Sequence, residues 1–206
     1  MRKTSLRKTA ALLLALCLCL VTAACGRSEK AGEAESSSDL LSGLHHVEID
    51  VKDYGTIALE LDADTAPITV TNFIDLAKSG FYDGLTFHRI MKGFMIQGGD
   101  PAGNGSGGSD RKIKGEFSAN GVKNDIKHTE GVISMARSQN KNSASSQFFI
   151  MDADYPSLDG NYAAFGHVTS GIEIVHAIAD DAKPTDNNGT IPKDQQPVSE
   201  TIRVID

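Results

Sequence analysis

Arg89 and Gln97 stand eight residues apart in FHRIMKGFMIQGGD, residues 87–100, a stretch otherwise rich in phenylalanine, methionine and isoleucine. Apolar runs of this kind normally supply core strands, and a core does not admit a guanidinium without compensation. In an extended LTFHRIM segment, Phe87 and Arg89 share one face, while His88 and Ile90 share the other. Arg89 then either snorkels to solvent and pairs with an acid, or projects into a surface groove beside Phe94 and Met95. The second arrangement would offer hydrogen-bond donation from a permanent cation, whose fork aims several N–H groups at one place.

Other chemistries find little support. GNGSGGS, residues 103–109, is glycine-rich, but no Gly-Lys-Ser/Thr and no helical pattern follow, as a phosphate cradle requires. The six histidines show no metal-ligand spacing. The serines of NSASSQ, Ser145 and Ser146 among them, lack the strand–turn–helix elbow of a serine hydrolase.

The elements that must position Arg89 are legible from His45 onward. HVEIDVK alternates Val47, Ile49 and Val51 with Glu48, Asp50 and Lys52, which predicts a half-buried strand. Asp53-Tyr54-Gly55 turns the chain, and TIALELD alternates again, so the two runs form a hairpin. A helix follows, with Thr65 as N-cap, Pro67 in the first turn, an inward stripe of Val70, Phe73, Ile74 and Ala77, and Gly80 at its end. GIEIVHAIAD gives a second helix, with Ile172, Val175 and Ile178 inward. Between them lie short strand candidates LTFHRIM, FMIQGG, GVISMA, SQFFIMD and AAFGHV, and ETIRVID closes the chain. Many short strands with two helices predict a mostly β fold, a closed antiparallel barrel.

The first 25 residues have a different character. Arg2, Lys3, Arg7 and Lys8 precede an apolar run of about a dozen residues, too short to span a bilayer comfortably but suited to a signal-peptide core. Small residues then lead to Cys25. This resembles the lipobox of bacterial lipoproteins, although Thr22 stands where a leucine-like residue is usual. Lipidation at Cys25 would anchor the protein to a membrane surface; ordinary secretion is the alternative. Residues 26–44, rich in Ser, Gly, Ala and Glu, are expected to be a flexible linker to a domain spanning 45–206. Cys17, Cys19 and Cys25 are the only cysteines, so the domain has no disulfide and must hold by packing. Removing the four leader cations takes the formal charge from −7 to −11. A chain that acidic repels phosphate backbones and is not expected to bind nucleic acid.

FHRIMKGFMIQGGD, GNGSGG, HTEGVISMA, SSQFFI and LDGNYAAFGHV, in this order and at about these spacings, resemble the cyclophilin family of peptidyl-prolyl cis–trans isomerases. The resemblance covers residues 45–206 and implies an eight-stranded antiparallel β-barrel capped by two helices. It implies rotation about X-Pro bonds of unfolded or flexible polypeptides, by a monomer needing no metal, nucleotide or other cofactor.

By the same resemblance Arg89 is the catalytic donor. Phe94, Met95, Phe149 and Leu158 wall the proline pocket, and Gln97 orients Arg89 and binds substrate backbone. Gln147 is a further polar groove residue, while Gly105 and Ala136 line the extension for residues preceding proline. Three positions depart from the best-known members. Arg137 replaces an asparagine whose backbone binds peptide, Tyr162 replaces a pocket histidine, and Ser157 replaces a tryptophan associated with cyclosporin binding. Weak cyclosporin sensitivity is therefore expected. A module that binds proline-containing loops without turnover would present the same groove, and only the need for Arg89 separates it from an enzyme.

Overall fold

The computed structural model describes residues 40–206. The leader, Cys25 and most of the expected linker lie outside the described residues. Residues before His45, the expected start of the domain, already belong to the folded unit. Leu41 packs against the core and donates its N–H to Thr71 Oγ1 at 2.9 Å, and Gly43 bonds to Asp64.

β1 (Leu44–Val51) and β2 (Gly55–Asp62) form the expected hairpin, with Val47, Ile49 and Val51 facing Leu59, Ile57 and Gly55 in register. α1 (Pro67–Lys78) follows, then β3 (Arg89–Met91), β4 (Met95–Gly98), β5 (Val132–Met135), β6 (Phe148–Met151) and β7 (Ala164–Ser170). α2 (Ile172–Asp181) and β8 (Ser199–Val204) complete the chain. The strands join one antiparallel sheet in the order β3-β4-β6-β5-β7-β2-β1-β8.

The sheet is an open half-barrel and not the closed barrel expected from the sequence. β3 and β8 are its edges, and no continuous ladder joins them. At the seam, Phe87 N–H donates to Pro197 O and Ser199 N–H to Leu85 O, around a lone bridge between Thr86 and Val198. Pro197, just before β8, has no N–H to extend the ladder, and β3 is only three residues long.

The core lies between the inner sheet face and the helices. Val70, Phe73, Ile74 and Ala77 of α1 and Val175, Ile178 and Ala179 of α2 are buried. Phe148 stands edge-on to Phe73, Tyr82 and Phe87. Burial pushes the Tyr82 phenol far above its usual range, and its hydroxyl donates to Ser146 O at 3.1 Å. Gly80, with φ +72°, terminates α1 as expected.

Thr65 does not cap α1, contrary to expectation. Ala66 holds the N-cap position without a side-chain bond, and the Thr65 hydroxyl donates to Asp62. The first helical N–H groups are satisfied instead by Glu116, a carboxylate 48 residues distant from Ile68. Its oxygens accept from Ile68 N at 3.0 Å, Thr69 N at 2.8 Å and Thr69 Oγ1 at 2.7 Å. A carboxylate there also complements the helix dipole. No local pattern could reveal so distant a partner.

α2 is tied to the β3–β4 turn through a carboxylate. His176 Nδ1 donates to Asp152 Oδ1 at 2.8 Å, and the other Asp152 oxygen accepts from Gly93 N–H at 2.6 Å. Asp152 N–H in turn donates to Phe94 O. The bond to Asp152 raises the His176 pKa above 6.5, helped by the nearby Asp152, Glu130 and Asp180 charges and opposed by partial burial. A raised folded-state value means that the contribution is complete below 6.5 and fades as pH climbs through the folded value. The melting-temperature gap between wild type and His176→Gln is therefore expected to be larger at about pH 6 than at about pH 9. Because the imidazole is partly exposed, solvent screening keeps the effect small.

Candidate active site

The β3–β4 pairing sets Arg89 directly opposite Gln97, and β4–β6 sets Gln97 opposite Phe149. A groove of about 500 Å³ opens on this surface of the sheet. Its apolar floor is a cluster distinct from the main core, in which Met95, Phe149 and Met151 are buried. Phe94, Leu158 and Tyr162 pack around that cluster while remaining partly accessible. Phe148 and Phe149 illustrate how adjacent strand residues divide between two faces, one entering the core and the next the groove floor.

Arg89 lies half-buried at the rim. Its Nε donates to Asn188 O at 2.7 Å, Nη1 to Gln97 Oε1 at 3.0 Å, and Nη2 approaches Met91 Sδ at 3.2 Å. The Phe94 ring centroid is 5.9 Å from the guanidinium carbon. Burial lowers its pKa, against the opposing influence of Tyr162 and Asp186, yet a guanidinium stays protonated at neutral pH. Nη1 also approaches Met95 Sδ at 4.0 Å, a weak sulfur contact, so the second N–H of Nη2 is the one left for a ligand in the groove.

The bond to Gln97 belongs to a directed chain. A guanidinium only donates, so it fixes the Gln97 oxygen toward Arg89 and the amide nitrogen away from it. That nitrogen donates to Gln147 Oε1 at 2.9 Å, and Gln147 Nε2 donates to Gly105 O at 3.1 Å and Gly107 O at 2.8 Å. Replacing Gln97 by leucine keeps the bulk and breaks the chain at its centre. A hydrogen bond to a charged group is worth about 1.5–3 kcal/mol, so kcat/KM is expected to fall by about 10- to 100-fold in a peptide isomerisation assay.

The structure places Arg89 together with Phe94, Met95, Gln97, Phe149 and Leu158 on one groove, with Gly105, Ala136, Arg137 and Tyr162 extending it. Gln147 lines an adjoining chamber. Cys25 lies outside the described residues. Gly105 sits at φ +88° in a loop organised by the buried Asp100, whose carboxylate accepts from the N–H groups of Ala102, Asn104 and Gly105. Burial alone would push Asp100 up, but these donors together hold it below its ordinary value. Arg137 donates Nε and Nη2 to Asn161 O and Nη1 to Ser138 O, with its guanidinium 4.6 Å from the Tyr162 ring centroid.

Sequence reasoning missed several members. His88 was expected opposite Arg89, yet it lines the same groove, while Phe87 joins Ile90 in the core. The reason is that regular strand geometry begins only at Arg89, so alternation does not carry back to Phe87. Both His88 ring nitrogens are buried without a hydrogen-bonded side chain or backbone at close range among the described residues, and burial lowers its pKa, with Arg89 acting in the same sense and Asp100 and the Thr86 backbone against. His128 stacks behind Phe149 with centroids 6.1 Å apart, its ring bonded to Asp159 and Ser134 at opposite nitrogens. Because the carboxylate only accepts, Nδ1–H points to Asp159 and Nε2 accepts from the Ser134 hydroxyl. Burial lowers the His128 pKa despite Asp159. Asn188 and Thr190 reach the rim because residues 188–191 run beside β3. No spacing in the sequence signals that approach.

Among the described residues, no three His, Cys, Asp or Glu side chains are grouped to hold a metal ion. The family model of cyclophilin type peptidyl-prolyl cis-trans isomerase matches residues 46–205. The chain belongs to the cyclophilin family. A Bacillus subtilis peptidyl-prolyl cis-trans isomerase B is 46% identical over 124 residues, 60% of this chain and 83% of that protein. A Helicobacter pylori peptidyl-prolyl cis-trans isomerase is 46% identical over 126 residues, 60% of this chain and 74% of the relative. A Cryptosporidium parvum cyclophilin type isomerase matches in structure with a TM-score of 0.70 at 30% identity, covering 80% of this chain and 99% of its own. This cyclophilin is thus an enzyme of the peptidyl-prolyl cis–trans isomerase class, acting on proline-containing polypeptides.

Proposed function

We propose that this cyclophilin is a folding catalyst for exported or surface proteins, held at a cell membrane by a lipid on Cys25, with Arg89 as its catalytic donor. The observation that carries the catalytic part is Arg89 lining the same groove as the apolar floor of Met95 and Phe149, held there by Asn188 O and Gln97. The barrier to X-Pro rotation, about 18–20 kcal/mol, is the loss of amide resonance. As the bond twists, the proline nitrogen regains a lone pair that can accept a hydrogen bond. A donor waiting there binds the twisted state more strongly than the planar one, which is the differential binding that lowers a barrier. Met95, Phe149, Leu158 and Phe94 hold the proline ring still while the preceding carbonyl swings. Water competes little beside such a floor, so the hydrogen bond acts at greater strength.

The location rests on the basic start, short apolar run and small residues before Cys25. Outside the cytoplasm a catalyst that breaks no bond and needs no nucleotide suits the absence of ATP. The intact mass of the exported protein tests this part. A mass for the chain from Cys25 onward plus a lipid adduct is expected, with the adduct lost in Cys25→Ser. Export without lipid, or retention of the leader, would overturn it.

A further inference from the structure

Beside the proline groove lies a second chamber of about 440 Å³, and Gln97, Gly105, Ser106, Ala136 and Arg137 belong to the walls of both. The two differ in chemistry. The first is floored by phenylalanine, methionine and leucine, whereas the second has no apolar side chain larger than Ala136. Its lining carries serines at 106, 109, 138, 143 and 145, two cations in Lys112 and Arg137, and no aspartate or glutamate. An apolar side chain entering it would gain little burial, so it selects for polarity.

The two charges are not neutralised locally. Lys112 is exposed and makes no ion pair among the described residues. Arg137 is bound by the neutral carbonyl oxygens of Asn161 and Ser138. The carboxylate behind the intervening loop, Asp100, is 1% exposed and occupied by backbone N–H groups. A chain with net charge −7 therefore presents a cationic recess next to its groove.

On the isomerase reading of the groove, on which this inference rests, a bound peptide is extended with its proline in the first chamber. Alternate residues of an extended chain face the same side, so the residue two before the proline projects toward the second. The family resemblance already gives this extension to residues preceding proline; we infer that in this chain it selects a carboxylate there, making acidic-Xaa-Pro segments the preferred substrates. Lys112 is then a specificity-determining residue.

Three peptides differing only in Glu, Gln or Lys two residues before proline test this, with exchange rates and affinities both read by NMR. At low ionic strength the Glu peptide is expected to exceed the Gln peptide about three- to fivefold in kcat/KM, with Lys lowest. The gap should narrow at about 1 M salt, where the screening length falls to about 3 Å. Lys112→Gln should shrink the Glu preference, and Lys112→Glu should place the Lys peptide above the Glu peptide. Equal values for the three peptides, or a Glu preference that Lys112→Glu leaves intact, would overturn the inference. If no peptide is turned over, the isomerase reading falls, while the affinities still rank the three peptides and decide the charge preference.

Discussion

Arg89→Ala is expected to lower kcat/KM for X-Pro isomerisation by about 10²–10³, the usual consequence of removing one preorganised donor from a transition-state site. The fold should be little affected, because the guanidinium lies at a rim and its contacts go to Asn188 O, Gln97 and the sulfurs of Met91 and Met95. Arg89→Lys should recover little. An ammonium keeps the charge but lacks the fork that reaches Asn188 and Gln97 while still presenting donors to the groove. The measurement is the rate of a proline-limited refolding reaction, uncatalysed in tens of seconds, with each variant added in equal amount. Equal acceleration by wild type and Arg89→Ala would remove the catalytic role and leave a groove that only binds.

The second large effect is on stability. Phe148→Ala is expected to cost about 3–5 kcal/mol, because a ring that is 1% exposed would leave a cavity among rigid neighbours. Phe73, Tyr82 and Phe87 meet it edge-on at centroid distances of 5.4, 5.7 and 6.2 Å. Edge-to-face pairs add specific attraction to the burial, so relaxation around alanine would sacrifice that geometry as well. For a domain of this size the loss corresponds to a fall in melting temperature of about 10 °C or more, readable by calorimetry. A fall of only a degree or two would show that the aromatic knot collapses easily and contributes little.

The two changes separate what positions the site from what performs its chemistry. Phe148 belongs to the face that fixes β6 on the core, and β6 carries Phe149 to the groove floor. Arg89 belongs to the opposite arrangement, a polar group held at an apolar rim by a cross-strand partner.

Alternation and helical period were enough to establish the β1–β2 hairpin, both helices and the strand content, because each depends on residues only two to four apart. The motif resemblance likewise supplied the groove set around Arg89 and Gln97, since both sit within one hairpin. What the tertiary structure alone decided depends on partners distant along the chain. Glu116 caps α1 in place of Thr65, and His128 braces Phe149 from a segment with no periodic signal. Residues 188–191 bring Asn188 to Arg89, and the seam beside Pro197 leaves the barrel open. Each of these contacts joins segments whose own patterns carry no information about the other, so only the folded chain could bring them together.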